Sequence, residues 1–391
     1  MAGMTTVGGL TASPRGARGW VPPTIVEPED EGGMERLAAL VRCGAIHTVI
    51  DTVDTIAAEL VDRDPGVGAG SQARARALGD LFARRDLLGV WVHFPWSATL
   101  VRFPTRADHT WLRTLRNRDL ITAGEQERLG RARIAVFGLS VGSNTVEQLV
   151  RLGIGGAYLL ADPDRISATN LNRMRSTVAD LGDRKTDALA RRISESDPFL
   201  DLTLLHDGYT PANEVALADF RPDVVFEEVD DLSAKAHLRA WASQHRVPLL
   251  TVGDIGERSV LDVERHDLAR LRPFNGKVPE SSFRRMLAGD LPRSEANRVM
   301  IRLVGLRNLS SRLVRSFTEV GVTIPGVPQL SSSAGAGAAL ASVALRELLT
   351  TGRIRSGTYV SDPRRTLRLP HQAPPREALD ALRRMRAATR R

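Results

Sequence analysis

Thiols, lysines and long apolar runs are what this chain has least of. Cys43 is its only cysteine in 391 residues, which rules out a disulfide framework and a four-cysteine zinc site and suits a cytoplasmic protein. No apolar run reaches the ~18 residues of a membrane span, so no membrane partner is expected. The eight histidines form no pair at ligand spacing, which disfavours a metal hydrolase. Lysine occurs only at 185, 235 and 277, so arginine carries nearly all of the positive charge behind the net +8. The arginines are spread along the chain rather than gathered in one patch, with a last cluster between Arg383 and Arg391. That spread reads as a coding bias toward arginine; it allows an RNA partner without indicating one.

What remains is an ordinary globular balance, 42% hydrophobic and 26% charged, long enough to bury a full core. Residues 1–33 are rich in Pro and Gly and read as a disordered leader. From Met34 to about Val61 the apolar spacing (Leu37, Leu40, Val41, Ile46, Val49, Ile50, Val53, Ile56) is helical. A second helix is expected over 72–85 and a β-hairpin over 90–95 and 99–103, so that residues 34–110 make a small N-terminal α/β module. From Trp111 strands and helices alternate. Strands are expected at 134–138, 157–162, 202–206, 223–228 and 248–253, and helices at 143–152, 183–196, 212–219 and 232–245. That rhythm specifies an α/β, doubly wound, mostly parallel Rossmann-like sheet over residues 111–351. Within it, 254–330 reads as irregular with weak helical pieces, and the small-residue run from Ser331 to Leu349 as a helix packed closely on the sheet. A short strand at 358–360 and a basic tail complete residues 352–391.

The run Ile134-Ala135-Val136-Phe137 leads into the small-residue turn Gly138-Leu139-Ser140-Val141-Gly142-Ser143 and then a helix. A strand–turn–helix of this kind presents backbone N–H groups and a positive helix end to phosphate. Gly138, Ser140, Val141, Gly142 and Ser143 are therefore candidate nucleotide-binding residues, although Ser140 and Ser143 stand where the dinucleotide fingerprint has its second and third glycines. Asp162 ends the next strand, 24 residues after Gly138, where an acid can accept hydrogen bonds from a ribose. That much fits NAD as well as ATP. Asn170, Asn172 and Arg173 follow in a loop beside the phosphate end, and Arg173 offers a fork for phosphate. Lys185, near the start of the next helix, supplies a point charge. Asp230 and Asp231 follow the strand Val224–Glu228, at the end of a parallel strand that faces the ligand crevice. Asp230 suits Mg²⁺ bridging ATP phosphates, and Asp231 suits the N-cap of the helix that starts near Leu232.

From about Arg116 to Leu349 these residues resemble the superfamily of ubiquitin-activating enzymes and its bacterial relatives MoeB, ThiF, HesA and MccB. The N-terminal helices, the hairpin and the turn variant look closest to a bacterial subgroup related to nitroreductase-fused ThiF-like proteins. The resemblance implies an ATP-dependent adenylyltransferase, a homodimer, that uses Mg²⁺ to activate a carboxylate as an acyl-adenylate. It implies that Asp162 holds the ribose, that Asn172, Arg173 and Lys185 hold the triphosphate, and that Asp230 holds Mg²⁺. It also implies that Arg118, in the segment Arg116-Asn117-Arg118-Asp119, reaches the partner subunit's site. The catalytic set is then Arg118, Arg173, Lys185 and Asp230. Candidates for the carboxylate are a carrier-protein or peptide C-terminus, a modified tRNA base and a small acid, among which the sequence does not choose. No cysteine lies in or after this domain, so an internal thioester is excluded, and Cys43 sits in a helical apolar setting expected to be buried. Two other readings carry less: a catalytically silent scaffold, which predicts erosion of the charged set, and an NAD(P)-dependent oxidoreductase, which gives Asn-x-Asn-Arg no reason to be there.

Overall fold

The computed structural model describes Thr6–Val7, Leu10–Thr11 and residues 19–63, 70–305 and 308–369. The arginine cluster at the C-terminal end lies outside the described residues. The chain divides into two compact units. One holds the described residues up to Glu127 with Val150–Gly153 and Asp187–Leu200; the other holds Arg128–Leu149, Ile154–Thr186 and the described residues from Asp201 onward.

In the first unit β1 (Thr6–Val7) and β2 (Leu10–Thr11) form a short antiparallel ribbon. Then come β3 (Thr24–Val26), α1 (Gly33–Arg42), β4 (Thr48–Asp51), α2 (Val53–Val61) and α3 (Gln72–Phe82). The expected hairpin is present as β5 (Val90–Phe94) and β6 (Thr99–Phe103), paired antiparallel, and α4 (Arg106–Thr114) follows. The four-stranded sheet has the order β3-β5-β6-β4. Its core gathers Val26, Leu37 and Leu100, with Leu40, Ile46 and Trp91 against them.

Two expectations fail here. The leader over 1–33 is not unstructured throughout, because Thr24–Val26 pairs with β5. The helical stretch over 34–61 is broken at Gly44, whose φ of 73° ends α1, and Thr48–Asp51 runs parallel to β6 instead. Thr48, Val49 and Ile50 are β-branched, and a neighbouring strand outweighs their helix-like spacing.

The alternating stretch that builds the second unit runs α5 (Ala123–Gly130), β7 (Arg133–Phe137), α6 (Gly142–Arg151), β8 (Ala157–Ala161), α7 (Lys185–Ser196), β9 (Asp201–Leu205), α8 (Glu214–Phe220), β10 (Val224–Glu227), α9 (Leu232–His245) and β11 (Leu249–Ile255), although residues 123–127 of α5, 150–151 of α6 and 187–196 of α7 count with the first unit. These fall within about two residues of the expected limits. The stretch expected to be irregular carries a full strand, β12 (Arg258–Glu264), then α10 (Glu280–Ala288), α11 (Arg293–Val304) and α12 (Ser311–Glu319). β12 folds straight back on β11 through a tight turn at Gly256 (φ 64°), which is why no helix separates the two. α13 (Ser331–Thr350), β13 (Gly357–Ser361) and α14 (Pro363–Thr366) complete the unit.

The seven strands lie in the order β13-β12-β11-β10-β7-β8-β9. β9 to β11 pair in parallel, and β12 and β13 add two antiparallel strands at one edge. The strand order reverses between β7 and β10, and an open sheet of this kind binds ligands outside the carboxyl ends of its strands at that point. The core beneath it includes Phe137, Leu159, Leu217, Val225, Leu238 and Trp241. Each such large side chain contributes about 1.5–3 kcal/mol when fully buried. Gly337, on α13, lies where a Cβ would come within 2.7 Å of Val252, so the small-residue helix does pack closely on the sheet.

Candidate functional site

The carboxyl ends of β7, β8, β10 and β11 carry the site. After β7 the chain turns sharply at Gly138, with φ 92°, and a Cβ there would sit 2.2 Å from the Glu228 carbonyl oxygen. Only glycine fits both constraints. Ser140, Val141 and Ser143 do not adopt positive φ, so the turn does not need glycine where the fingerprint would place it. Ser143 Oγ donates to the Ser140 carbonyl at 2.9 Å, and the Asn144 amide donates to the Val141 carbonyl at 2.9 Å.

Asp162 ends β8 and ties the turn down. Its Oδ2 accepts the Leu139 amide at 2.7 Å, and its Oδ1 accepts the Asp164 amide at 2.8 Å. Lys185 Nζ, at the first residue of α7, lies 3.4 Å from this carboxylate and 2.7 Å from Asp164 Oδ2. Asp162 and Lys185 are 4% and 5% exposed, so their attraction acts with little screening by water. Burial pushes the Asp162 carboxyl above its usual range, against the pull of Lys185 and the two amides.

The loop after β8 brings the asparagines and Arg173 to the same end of the sheet, in three different roles. Asn170 closes a capping box, its Oδ1 accepting the Ser167 amide at 3.0 Å. Asn172 Nδ2 donates to the Gln329 carbonyl at 2.8 Å, while its Oδ1 accepts from Arg173 Nη1 at 3.0 Å. Arg173 Nη1 also donates to the Thr169 carbonyl at 3.1 Å, and its Nε is buried without a partner. Asn144 Nδ2, from the first turn of α6, holds the Arg173 carbonyl at 2.8 Å.

Asp230 is exposed just beyond β10, and Asp231 caps α9 by accepting the Ala234 amide at 2.7 Å, as its place in the sequence suggested. The loop between them and the strand rests on Glu227. This fully buried carboxylate accepts from Lys235 Nζ at 2.7 Å, Arg239 Nη1 at 2.7 Å and the Val229 amide at 3.1 Å. Burial alone would raise the Glu227 carboxyl; the Lys235 and Arg239 charges outweigh it and hold it below the usual range.

Two acids that received no role in the sequence reading stand at this end as well. Glu228 Oε1 accepts from Thr145 Oγ1 at 3.2 Å, and its Oε2 is buried without a partner. Burial, then Glu227 and Asp254, push its carboxyl well above the usual range. Asp254, on β11, accepts from Gln329 Nε2 at 2.9 Å, and its Oδ2 is likewise buried and unpartnered. Burial raises it too, with Gln329 and Arg173 acting against the rise and Asp230 adding to it. The rule that singled out Asp230, an acid at the end of a parallel strand, applies equally to Glu228 and could have found it.

Arg118 belongs to the first unit. It is exposed, and its guanidinium stacks on Trp111 at 4.9 Å, with Arg63 on the same ring at 4.9 Å. Cys43 is exposed rather than buried, because Gly44 ends α1 one residue later and leaves the thiol at the helix end. No helix among the described residues is long and apolar enough to cross a membrane.

Comparison with known proteins matches residues 113–269 to the ThiF family. Residues 113–269 are a ThiF family domain. The chain is 35% identical over 271 residues to an uncharacterized protein of Mycobacterium tuberculosis, MT1398, covering 68% of this chain and 37% of that one. It is 32% identical over 139 residues to the tRNA threonylcarbamoyladenosine dehydratase of Haemophilus influenzae, covering 35% of this chain and 53% of that one. It therefore spans about a third to a half of these relatives' length. Among solved structures, the Escherichia coli tRNA threonylcarbamoyladenosine dehydratase in complex with ATP aligns with a TM-score of 0.45 at 23% identity, over 63% of this chain and 97% of that one.

Proposed function

We propose that the chain is an ATP-dependent adenylyltransferase that activates a substrate carboxylate as an acyl-adenylate. The observation that carries the reading is the meeting, at one strand-order reversal within a ThiF domain, of the Gly138 turn, the Asp162–Lys185 pair, Arg173 and Asp230. The match of residues 113–269 to the ThiF family agrees with it. A carboxylate oxygen of the substrate attacks the α-phosphorus, the bond to the bridging oxygen breaks, and pyrophosphate leaves. No protein nucleophile takes part, so positioning and charge stabilisation supply the rate.

In this reading Asp162 holds the ribose, and the turn from Gly138 through Ser140, Val141, Gly142 and Ser143 approaches the phosphates. Asn172, Arg173 and Lys185 neutralise the triphosphate. Asn170 contributes by shaping the loop. The donor chemistry fits Mg²⁺. Asp230 is an exposed carboxylate, Glu228 and Asp254 each keep a buried, unpartnered carboxylate oxygen nearby, and Asp230 acts electrostatically on Asp254. Among the described residues no cluster of three or more ligands exists; an ion held by one or two carboxylates, water and phosphates needs none. Asp230 would hold the ion, which when bound supplies positive charge beside the phosphates. The catalytic portion we assign to residues 111–351, acting as a homodimer in which Arg118 completes the partner subunit's site. The lone exposed cysteine fits a reducing, cytoplasmic setting.

The test is carboxylate-dependent exchange of labelled pyrophosphate into ATP, screened over carrier-protein and peptide C-termini, carboxylate-bearing tRNA and small acids. Exchange is expected with one of these classes, falling on the order of 10²-fold in Asp230→Ala. Near-normal exchange in that variant would overturn the assignment.

A further inference from the structure

Gln329 stands just before α13, in a segment to which no role attaches so far. Its two ends make different bonds. Its backbone carbonyl accepts from Asn172 Nδ2 at 2.8 Å, and its side-chain Nε2 donates to Asp254 Oδ1 at 2.9 Å. Asn172 in turn accepts from Arg173 Nη1 at 3.0 Å. The donors therefore all run one way, from Arg173 to Asn172, through Gln329, to Asp254. Residues 157 positions apart in the chain are joined at the phosphate-binding end of the sheet.

We propose that Gln329 is a positioning residue: by tying Asn172 to Asp254 it fixes the guanidinium of Arg173 in the direction from which it meets the ATP phosphates. The proposal rests on the adenylation reading above. Arg173 needs such help. One of its nitrogens holds the Thr169 carbonyl and Asn172, and its Nε has no partner at all, so few bonds fix the fork. A bidentate cation is useful only when its plane is set before the ligand arrives. The acceptor at the far end is suited to the work. Asp254 is a half-buried carboxylate whose Oδ1 takes the Gln329 side-chain amide while its Oδ2 is unpartnered, and a hydrogen bond to a carboxylate in such a setting is stronger than one in open water.

The experiment is a double-mutant cycle read by calorimetric binding of ATP with Mg²⁺, with thermal unfolding run on every variant. Gln329→Ala is expected to weaken ATP binding about three- to tenfold in the wild-type background and to change nothing further in an Arg173→Ala background. The swap Gln329→Glu with Asp254→Asn exchanges donor and acceptor across the same bond; read with ATP in the absence of Mg²⁺, so that the loss of the Asp254 carboxylate beside the ion's place does not enter, it is expected to restore binding that Gln329→Glu alone loses. It also serves if Gln329→Ala does not fold. Equal weakening by Gln329→Ala in both backgrounds would mean that Gln329 acts independently of Arg173, and the proposal falls. No weakening, or no rescue by the swap, overturns it as well. If Arg173→Ala binds ATP as the wild type does, the phosphate role of Arg173 fails and the positioning role with it. If Arg173→Ala binds weakly while Gln329→Ala does not, only the positioning role fails.

Discussion

Gly138 tolerates replacement less than any other residue of the turn, for two reasons that add: its φ of 92° and the Glu228 carbonyl 2.2 Å from where a Cβ would stand. Gly138→Ala should lower stability by about 2 kcal/mol or more. Gly335→Ala, in α13 with open space around the added methyl, should be neutral or stabilising by up to about 1 kcal/mol. Denaturant midpoints that shift alike in the two variants would contradict this account of the turn. His109 gives a second prediction. Burial lowers it to about 4, Asp197 pulls it up, and Arg113 pushes it down; the rings of Phe103 and Phe199 lie beside it. A histidine with a lowered folded pKa binds its proton more readily when unfolded. Its contribution is therefore complete above pH ~6.5 and lost as pH falls toward 4, on the order of 3 kcal/mol in all. His109→Phe should flatten the acid limb of stability against pH in part, since His266 is also lowered to about 4 by burial and then by Arg239. An unchanged slope between pH 7 and 5 would count against it. Lys185, Lys235 and Lys277 each meet a carboxylate, Asp164, Glu227 and Asp262, within 2.7 Å. By contrast Glu228 was passed over although the strand-end rule reaches it, and Asp254 because its approach to Gln329 and Arg173 depends on how distant loops fold, which no spacing encodes.

At the scale of elements, α9 was legible to the residue. Asp231 marks its start, and Arg246, in the left-handed region at φ 57°, marks its end. Asp231→Ala should cost about 1 kcal/mol, a fall of roughly 2–4 °C in Tm, and leave ATP binding intact. Asp230→Ala, one residue away and exposed, should leave Tm unchanged. A Tm loss in Asp230→Ala equal to that in Asp231→Ala would break the division of roles between the two. Elements were missed where pairing partners lie outside the local window. β4 is a strand because β6 runs beside it, and β12 because β11 lies seven paired residues deep against it. The five-stranded parallel block was legible because each of its strands is separated by a helix whose own periodicity is clear. Asn170 carries a role that the motif did not announce: its place in Asn-x-Asn-Arg suggested a ligand contact, and its side-chain oxygen also closes a capping box.

For the whole molecule, the reading requires two copies. If Arg118 serves the partner subunit's site, Arg118→Ala and Asp230→Ala should each be inactive alone. Mixed in equal amounts and allowed to exchange subunits, they should regain about a quarter of wild-type pyrophosphate exchange, because half of the dimers then carry one intact site. A mixture as inactive as its parts would remove the trans role. Arg118 is already held in an exposed position by Trp111, as a residue offered outward would be.

The measurement that tests the central claim most directly is calorimetric titration of the full chain with ATP and Mg²⁺, alongside NAD and alongside the Asp230→Ala variant. Saturable ATP binding that is lost in Asp230→Ala, with no binding of NAD, is the predicted result. Binding of NAD in place of ATP, or of neither, would contradict it.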